Sequence, residues 1–128
     1  MNDIQDYNEK QVGETAEICA LLFQEIGAAL PHATSKLYHA NPVWFIDENP
    51  IVGYDVTTHG VNILFWDGQD LKQPGLAAVG KFKAAGTTYE TASDIDVEVL
   101  RAWLKESQTP KWDYKNLRAN DGALKPLV

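Results

Sequence analysis

His32, His39 and His59 fall among Asp47, Glu48 and Asp55 in the first half of the chain. Imidazole nitrogens and carboxylate oxygens are donors that ferrous or ferric iron accepts, once a fold brings them within coordination distance. None of these residues lies on a helical stretch at the i, i+4 spacing of a helical metal site, so the competing reading is a set of solvated loop residues. A second acidic group, Asp3, Asp6, Glu14 and Glu17, precedes them, with Glu9 and Glu25 interspersed. Loose acidic surfaces bind cations without a sharp motif, and these four carboxylates are the metal candidates.

Four tryptophans in 128 residues raise a different chemistry. Aromatic walls with a few polar groups suit small organic ligands. Trp44 and Trp66 lie on neighbouring strand candidates, and Trp112 belongs to the segment KWDYKN. If that segment folds back over the sheet, Trp44, Trp66 and Trp112 line one groove, with Lys81, Lys83 and Lys115 at its rim and Asp113 beside it. The competing reading is core packing, which suits Trp66 and Trp103 best and leaves Trp44 and Trp112 as the better groove candidates. Gly80-Lys81-Phe82-Lys83 offers backbone amides and two ammonium groups to an anion, yet lacks the GxxxxGK[ST] spacing of a phosphate loop.

The case for catalysis is thin. The chain has no GxSxG, HExxH or Cys-His arrangement. Asp113 beside Tyr114 and Lys115 has acid-base types, but capping or packing explains them equally well. Cys19, the only cysteine, sits among apolar residues and reads as a buried small hydrophobe. A binding protein rather than an enzyme is the expectation.

Those residues need a frame. The length fits one domain, and 45% hydrophobic with 23% charged residues is globular composition. The formal charge of −7 repels a phosphate backbone, so nucleic acid is a poor partner. The polar, acidic start MNDIQDYNEK and the lack of a long apolar run predict a cytoplasmic protein without a membrane partner.

Residues 1–12 read as a loosely held arm, residues 13–118 as the folded domain and residues 119–128 as a tail. Ile18, Leu21, Leu22, Ile26 and Ala29 recur at helical spacing from Glu14 to Leu30, where Pro31 ends the pattern. His32 and His39 then lie in a connector. Asn41-Pro42 reads as a breaker, Val43 to Ile46 as a strand, Asp47 to Pro50 as a turn, and Ile51 to Val56 as the second arm of a hairpin. By period two, Val52, Tyr54 and Val56 face helices, while Gly53 and Asp55 face away. Val61 to Trp66 is the most apolar strand and is expected at the centre of the sheet. Pro74 to Gly86 reads as a short helical or irregular crossover, Thr87 to Glu90 as a last strand, and Ile95 to Leu104 as an amphipathic helix behind Asp-rich capping residues. The expected architecture is α+β, one antiparallel sheet with its helices on one face.

The stretches HANPVWFIDENPIVGYDVTTHGVNILFWDGQDLKQPGLAAVGKFKAA and IDVEVLRAWLKESQTPKWDYKN resemble the YdhG-like domain-of-unknown-function family, in order and spacing over residues 15 to 116. Pro42-Val43-Trp44, Gly53-Tyr54, Leu64-Phe65-Trp66, Pro74-Gly75-Leu76, Gly80-Lys81-Phe82-Lys83 and Trp112-Asp113-Tyr114-Lys115 carry the likeness. The resemblance implies a frataxin-like fold. Because some members are described as intracellular iron chaperones, it also implies iron as a cargo and iron-cluster or haem assembly proteins as partners. Frataxin-type iron binding uses a continuous run of acids along the first helix and the adjacent strand, whereas the acids here are scattered.

Overall fold

The computed structural model describes residues 3–127. Among them, α1 (Asp3–Glu9) and α2 (Gly13–Ala29) precede β1 (Thr34–Tyr38), β2 (Asn41–Ile46), β3 (Asn49–Thr57) and β4 (Gly60–Phe65). An irregular crossover holds the two-residue β5 (Ala77–Ala78), and β6 (Ala85–Tyr89) and α3 (Val97–Glu106) follow. The strands form one antiparallel sheet in the order β1-β2-β3-β4-β6-β5. The α+β architecture with a single antiparallel sheet is therefore as expected, and β4 is an inner strand.

Two tight hairpins set the register. His39 and Ala40 join β1 to β2, and Asp47 and Glu48 join β2 to β3, all four at positive φ as a type I′ turn requires. Asp tolerates that backbone; Ala40 occupies it at a cost of about 1 kcal/mol. A bulge between Trp44 and Phe45 restores alternation after Ile51.

Alternation sorts the side chains onto two faces. Trp44, Val52, Tyr54, Val61, Ile63 and Phe65 share a core with Ile18, Cys19, Leu22 and Ile26 of α2 and Leu100, Trp103 and Leu104 of α3. Val52 and Tyr54 thus face the helices as period two predicts. Cys19 is fully buried there, which pushes its thiol up to about 11 and leaves it an inert core residue. The Asp96 carboxylate caps α3 by accepting from the Val99 amide at 3.2 Å. Gln108 donates from its side chain to the Ala29 carbonyl at 3.1 Å, satisfying one of the orphan carbonyls at the end of α2.

Three local expectations change. Residues 3–9 are helical rather than a loose arm: Ile4 is buried, the Tyr7 hydroxyl accepts from the Val56 amide, and Asn8 accepts from the Tyr54 hydroxyl at 2.7 Å. The connector holding His39 is largely β1, and Asn41-Pro42 continues β2 instead of breaking it, with Asn41 opposite Tyr38 and Pro42 opposite Leu37. Trp44, a groove candidate, is only 4% exposed on the helix side, with its ring 6.0 Å from that of Phe23 and 5.9 Å from that of Tyr54. The bulge after Trp44 explains the correction, since Trp44 pairs with core-facing Val52 while Phe45 turns to the opposite face.

Helices α2 and α3 are tied by a two-pronged ion pair. Arg101 donates through Nε to Glu25 Oε1 at 2.8 Å and through a terminal nitrogen to Oε2 at 3.2 Å. Those hydrogen bonds, more than the opposing burial, hold the Glu25 carboxyl below its usual value.

Three substitutions test this frame. Tyr54→Phe removes the Asn8 hydrogen bond, should cost about 0.5–1.5 kcal/mol, and should raise amide exchange across residues 3–9; unchanged exchange there would mean that Ile4 and the Tyr7–Val56 contact hold α1 without it. Trp44→Ala should lower stability by about 3–5 kcal/mol in denaturant unfolding, whereas a loss under 1 kcal/mol would contradict its core position. Because the folded Glu25 binds its proton more weakly than the unfolded chain, its contribution is present above the unfolded pKa of about 4.3 and is lost as pH falls through the lower folded value. Glu25→Gln should therefore lower the melting temperature at neutral pH and flatten that acid limb, as read by melting curves across pH.

Candidate binding cleft on the helix-free face

The other face of the sheet is built from the alternate residues: Thr34, Lys36 and Tyr38 on β1, Val43 and Phe45 on β2, Gly53 and Asp55 on β3, and Asn62 and Leu64 on β4. Glycine keeps its middle low. A methyl group on Gly53 would meet the Pro42 carbonyl oxygen at 2.5 Å, and one on Gly86 the Ile63 carbonyl oxygen at 2.3 Å, so these positions are closed to larger residues by backbone.

The segment after α3 folds back over this face, as the groove reading requires. Each anchor is a named polar contact. The Tyr114 hydroxyl donates to the Trp66 carbonyl at 2.6 Å and accepts from the Lys83 amide at 3.2 Å. Burial pushes that hydroxyl up to about 12, against the opposing pull of the Lys83 amide, so it keeps the proton it donates. The Lys115 amide donates to Asn49 Oδ1 at 2.9 Å, and the Lys111 amide to Asp67 Oδ2 at the same distance. The chain end doubles back on this strap: the Asp113 amide donates to the Lys125 carbonyl at 2.8 Å and the Leu127 amide to the Lys111 carbonyl at 3.1 Å.

Between the β1–β2 hairpin and the strap lies a cleft of about 610 Å³. Tyr38 and Phe45 form one wall, with rings 5.4 Å apart and perpendicular. Phe82 and Tyr114, also perpendicular at 6.4 Å, form the other. Trp66 and Pro50 also line it. A smaller hollow of about 170 Å³ shares Tyr38, His39 and Trp66 and runs on over Val43, Gly53 and Leu64. It meets a third, of about 500 Å³, at Asp55 and Leu64, so the three form a trough across the sheet.

The predicted groove residues divide. Trp66 and Lys115 line the cleft. Lys81 stands 5.1 Å over the Phe82 ring, placing its ammonium beside the strap wall. Lys83 lies 4.9 Å over Trp112, whose indole donates to Asp70 Oδ2 at 2.5 Å, so this pair braces the strap from outside the cleft. Asp113 accepts both hydrogen bonds of the Asn116 side-chain amide, at 3.0 and 3.1 Å, a local turn contact. The Lys83 amide is committed to Tyr114, which removes one of the donors that the Gly80 to Lys83 turn offered an anion.

Sequence reasoning missed Tyr38, Phe45 and Tyr114, and reversed the roles of Trp44 and Trp66. Period two counted through the hairpin would have put Lys36, Tyr38 and Phe45 on one face, had residues 34–38 been read as a strand.

The metal candidates are spread differently. Asp3, Asp6, Glu14 and Glu17 are exposed on α1 and α2, and Glu14 accepts from the Ala92 amide at 2.9 Å. Among the described residues no three His, Cys, Asp or Glu side chains gather as a metal site would. Asp67 is a separate case: it is 8% exposed, its Oδ1 lacks a partner among the described residues, and burial raises its pKa against the Lys111 amide. Among the described residues no helix is long and apolar enough to cross a membrane.

No family model matches the chain, and neither a curated protein nor a solved structure matches it significantly.

Proposed function

We propose that this protein is a non-catalytic binding module that takes a small organic ligand in the cleft between the β1–β2 hairpin and the C-terminal strap. One observation carries the reading: walls from segments distant in sequence, Tyr38 and Phe45 on one side and Phe82 and Tyr114 on the other, line one cleft with Trp66 around about 610 Å³. That volume lies in the range of ligand sites, and the lining is mixed, with aromatic walls beside Thr34, Lys36, His39, Glu48 and Lys115. The walls are fixed independently of any ligand, one by a tight hairpin and the other by the Tyr114, Lys115 and Lys111 contacts. Preformed walls spare a ligand the cost of ordering them.

The frataxin-like frame of the YdhG resemblance belongs to the same proposal, supported by the first and last long helices packing on one side of an antiparallel sheet. Iron delivery, with iron-cluster or haem assembly partners, rests on the resemblance, whereas the cleft rests on geometry.

Thr34 is exposed on the cleft side of β1, where a tryptophan fits a strand and fills the space. Fragment screening by ligand-observed NMR should find hits that Thr34→Trp abolishes, with stability changed by no more than about 0.5 kcal/mol. Joint neutralisation of Asp3, Asp6, Glu14 and Glu17 should leave the same hits intact. Hits that survive Thr34→Trp, or an empty screen, would overturn the cleft as the site.

A further inference from the structure

The charges around the cleft run against those of the chain. The protein carries −7 overall, yet the cleft is lined by Lys36 on the hairpin wall and Lys115 on the strap wall, with Glu48 as its acid. Lys81 adds a third ammonium beside Phe82. We infer that the ligand of this cleft is a planar aromatic anion, a ring system bearing one carboxylate or sulfonate, stacked among the aromatic walls with its charge between Lys36 and Lys115. The inference rests on the cleft reading above and specifies its ligand class.

Three observations support it. Lys36 is held at the aromatic wall, its ammonium 5.0 Å from the Phe45 ring centre, so one cation stands beside the apolar surface that a ring would cover. Lys115 meets Glu48 only at 3.7 Å, and that carboxylate is 84% exposed. An ammonium has three donors and an exposed pair of this length is weak, so an incoming anion competes readily with Glu48. The backbone around the lysines favours a compact anion over a polyphosphate: the Lys83 and Lys115 amides are already donated to Tyr114 and Asn49, leaving side-chain ammoniums as the charged donors.

The test compares two fluorescent probes of one shape, anilinonaphthalene sulfonate and its uncharged counterpart phenylnaphthylamine, on the folded full chain. The sulfonate should bind saturably at one site and roughly tenfold more tightly than the neutral probe, a difference expected of two charge-assisted contacts. Lys36→Met with Lys115→Met keeps the aliphatic stems and should erase that difference while leaving the neutral probe's affinity and the melting temperature unchanged. Equal binding of the two probes by the wild-type chain, or an unchanged preference in the double variant, would overturn the anionic class while leaving the cleft in place. Binding of both probes that persists in Thr34→Trp, or no binding of either, would remove the cleft itself.

Discussion

A half-covered antiparallel sheet must either present its second face to water or cover it with its own chain, and here that choice organises everything outside the core. All three described helices pack on one side. The opposite side is crossed by the chain beyond α3, and the anchor shared by the most segments there is the Tyr114 hydroxyl, which donates to the Trp66 carbonyl and accepts from the Lys83 amide. One hydroxyl joins the end of β4, the approach to β6 and the strap. Its ring also makes a cleft wall, so the group that closes the face also shapes what stays open.

The cleft persists because its walls are held by polar contacts that fix distance, rather than by apolar packing that would draw them together. Asn49, buried in the Asp47-Glu48 turn region, receives the Lys115 amide; Gln69 donates to the Phe82 and Ala84 carbonyls at 2.9 and 3.0 Å and pins the loop that carries Phe82. Directional bonds of this kind contribute only about 1 kcal/mol each to stability. Their geometric effect is larger, since each sets where an aromatic ring stands. Gly53 and Gly86 keep the neighbouring hollows on the same face open, since backbone carbonyls leave no room for a side chain at either position.

The amphipathic helices and the inner strands were legible because their apolar periods match 3.6 and 2 over several repeats. Ile18, Leu22 and Ile26 mark one; Val61, Ile63 and Phe65 mark the other. The cleft was half legible. Trp66 and Lys115 emerged from the idea that the KWDYKN segment returns over the sheet, but Trp44 was placed on the wrong face because a bulge shifts the register by one residue, and nothing in the local composition announces a bulge. Tyr38 was hidden by a strand, TSKLY, whose residues are mostly exposed and so show no buried alternation. Helix α1 was hidden for a related reason: its burial rests on one residue, Ile4, and on Tyr7 and Asn8, whose partners Val56 and Tyr54 lie more than forty positions away.

Asp67 shows how the same strap accounts for a group that would otherwise count against the fold. A carboxylate whose buried Oδ1 has no partner among the described residues is costly, and its raised pKa means that the folded state holds the proton more tightly than the unfolded chain does. Its stabilising share is thus complete below the unfolded value near 3.9 and is lost as pH rises through the higher folded value. At neutral pH the ionised form costs stability. What the chain gains is position: Oδ2 receives the Lys111 amide while the preceding residue, Trp66, receives the Tyr114 hydroxyl. Two consecutive residues at the end of β4 therefore fix two points of the strap three residues apart. Two fixed points determine a direction as well as a place, which sets the course of the strap that brings Tyr114 and Lys115 to the cleft.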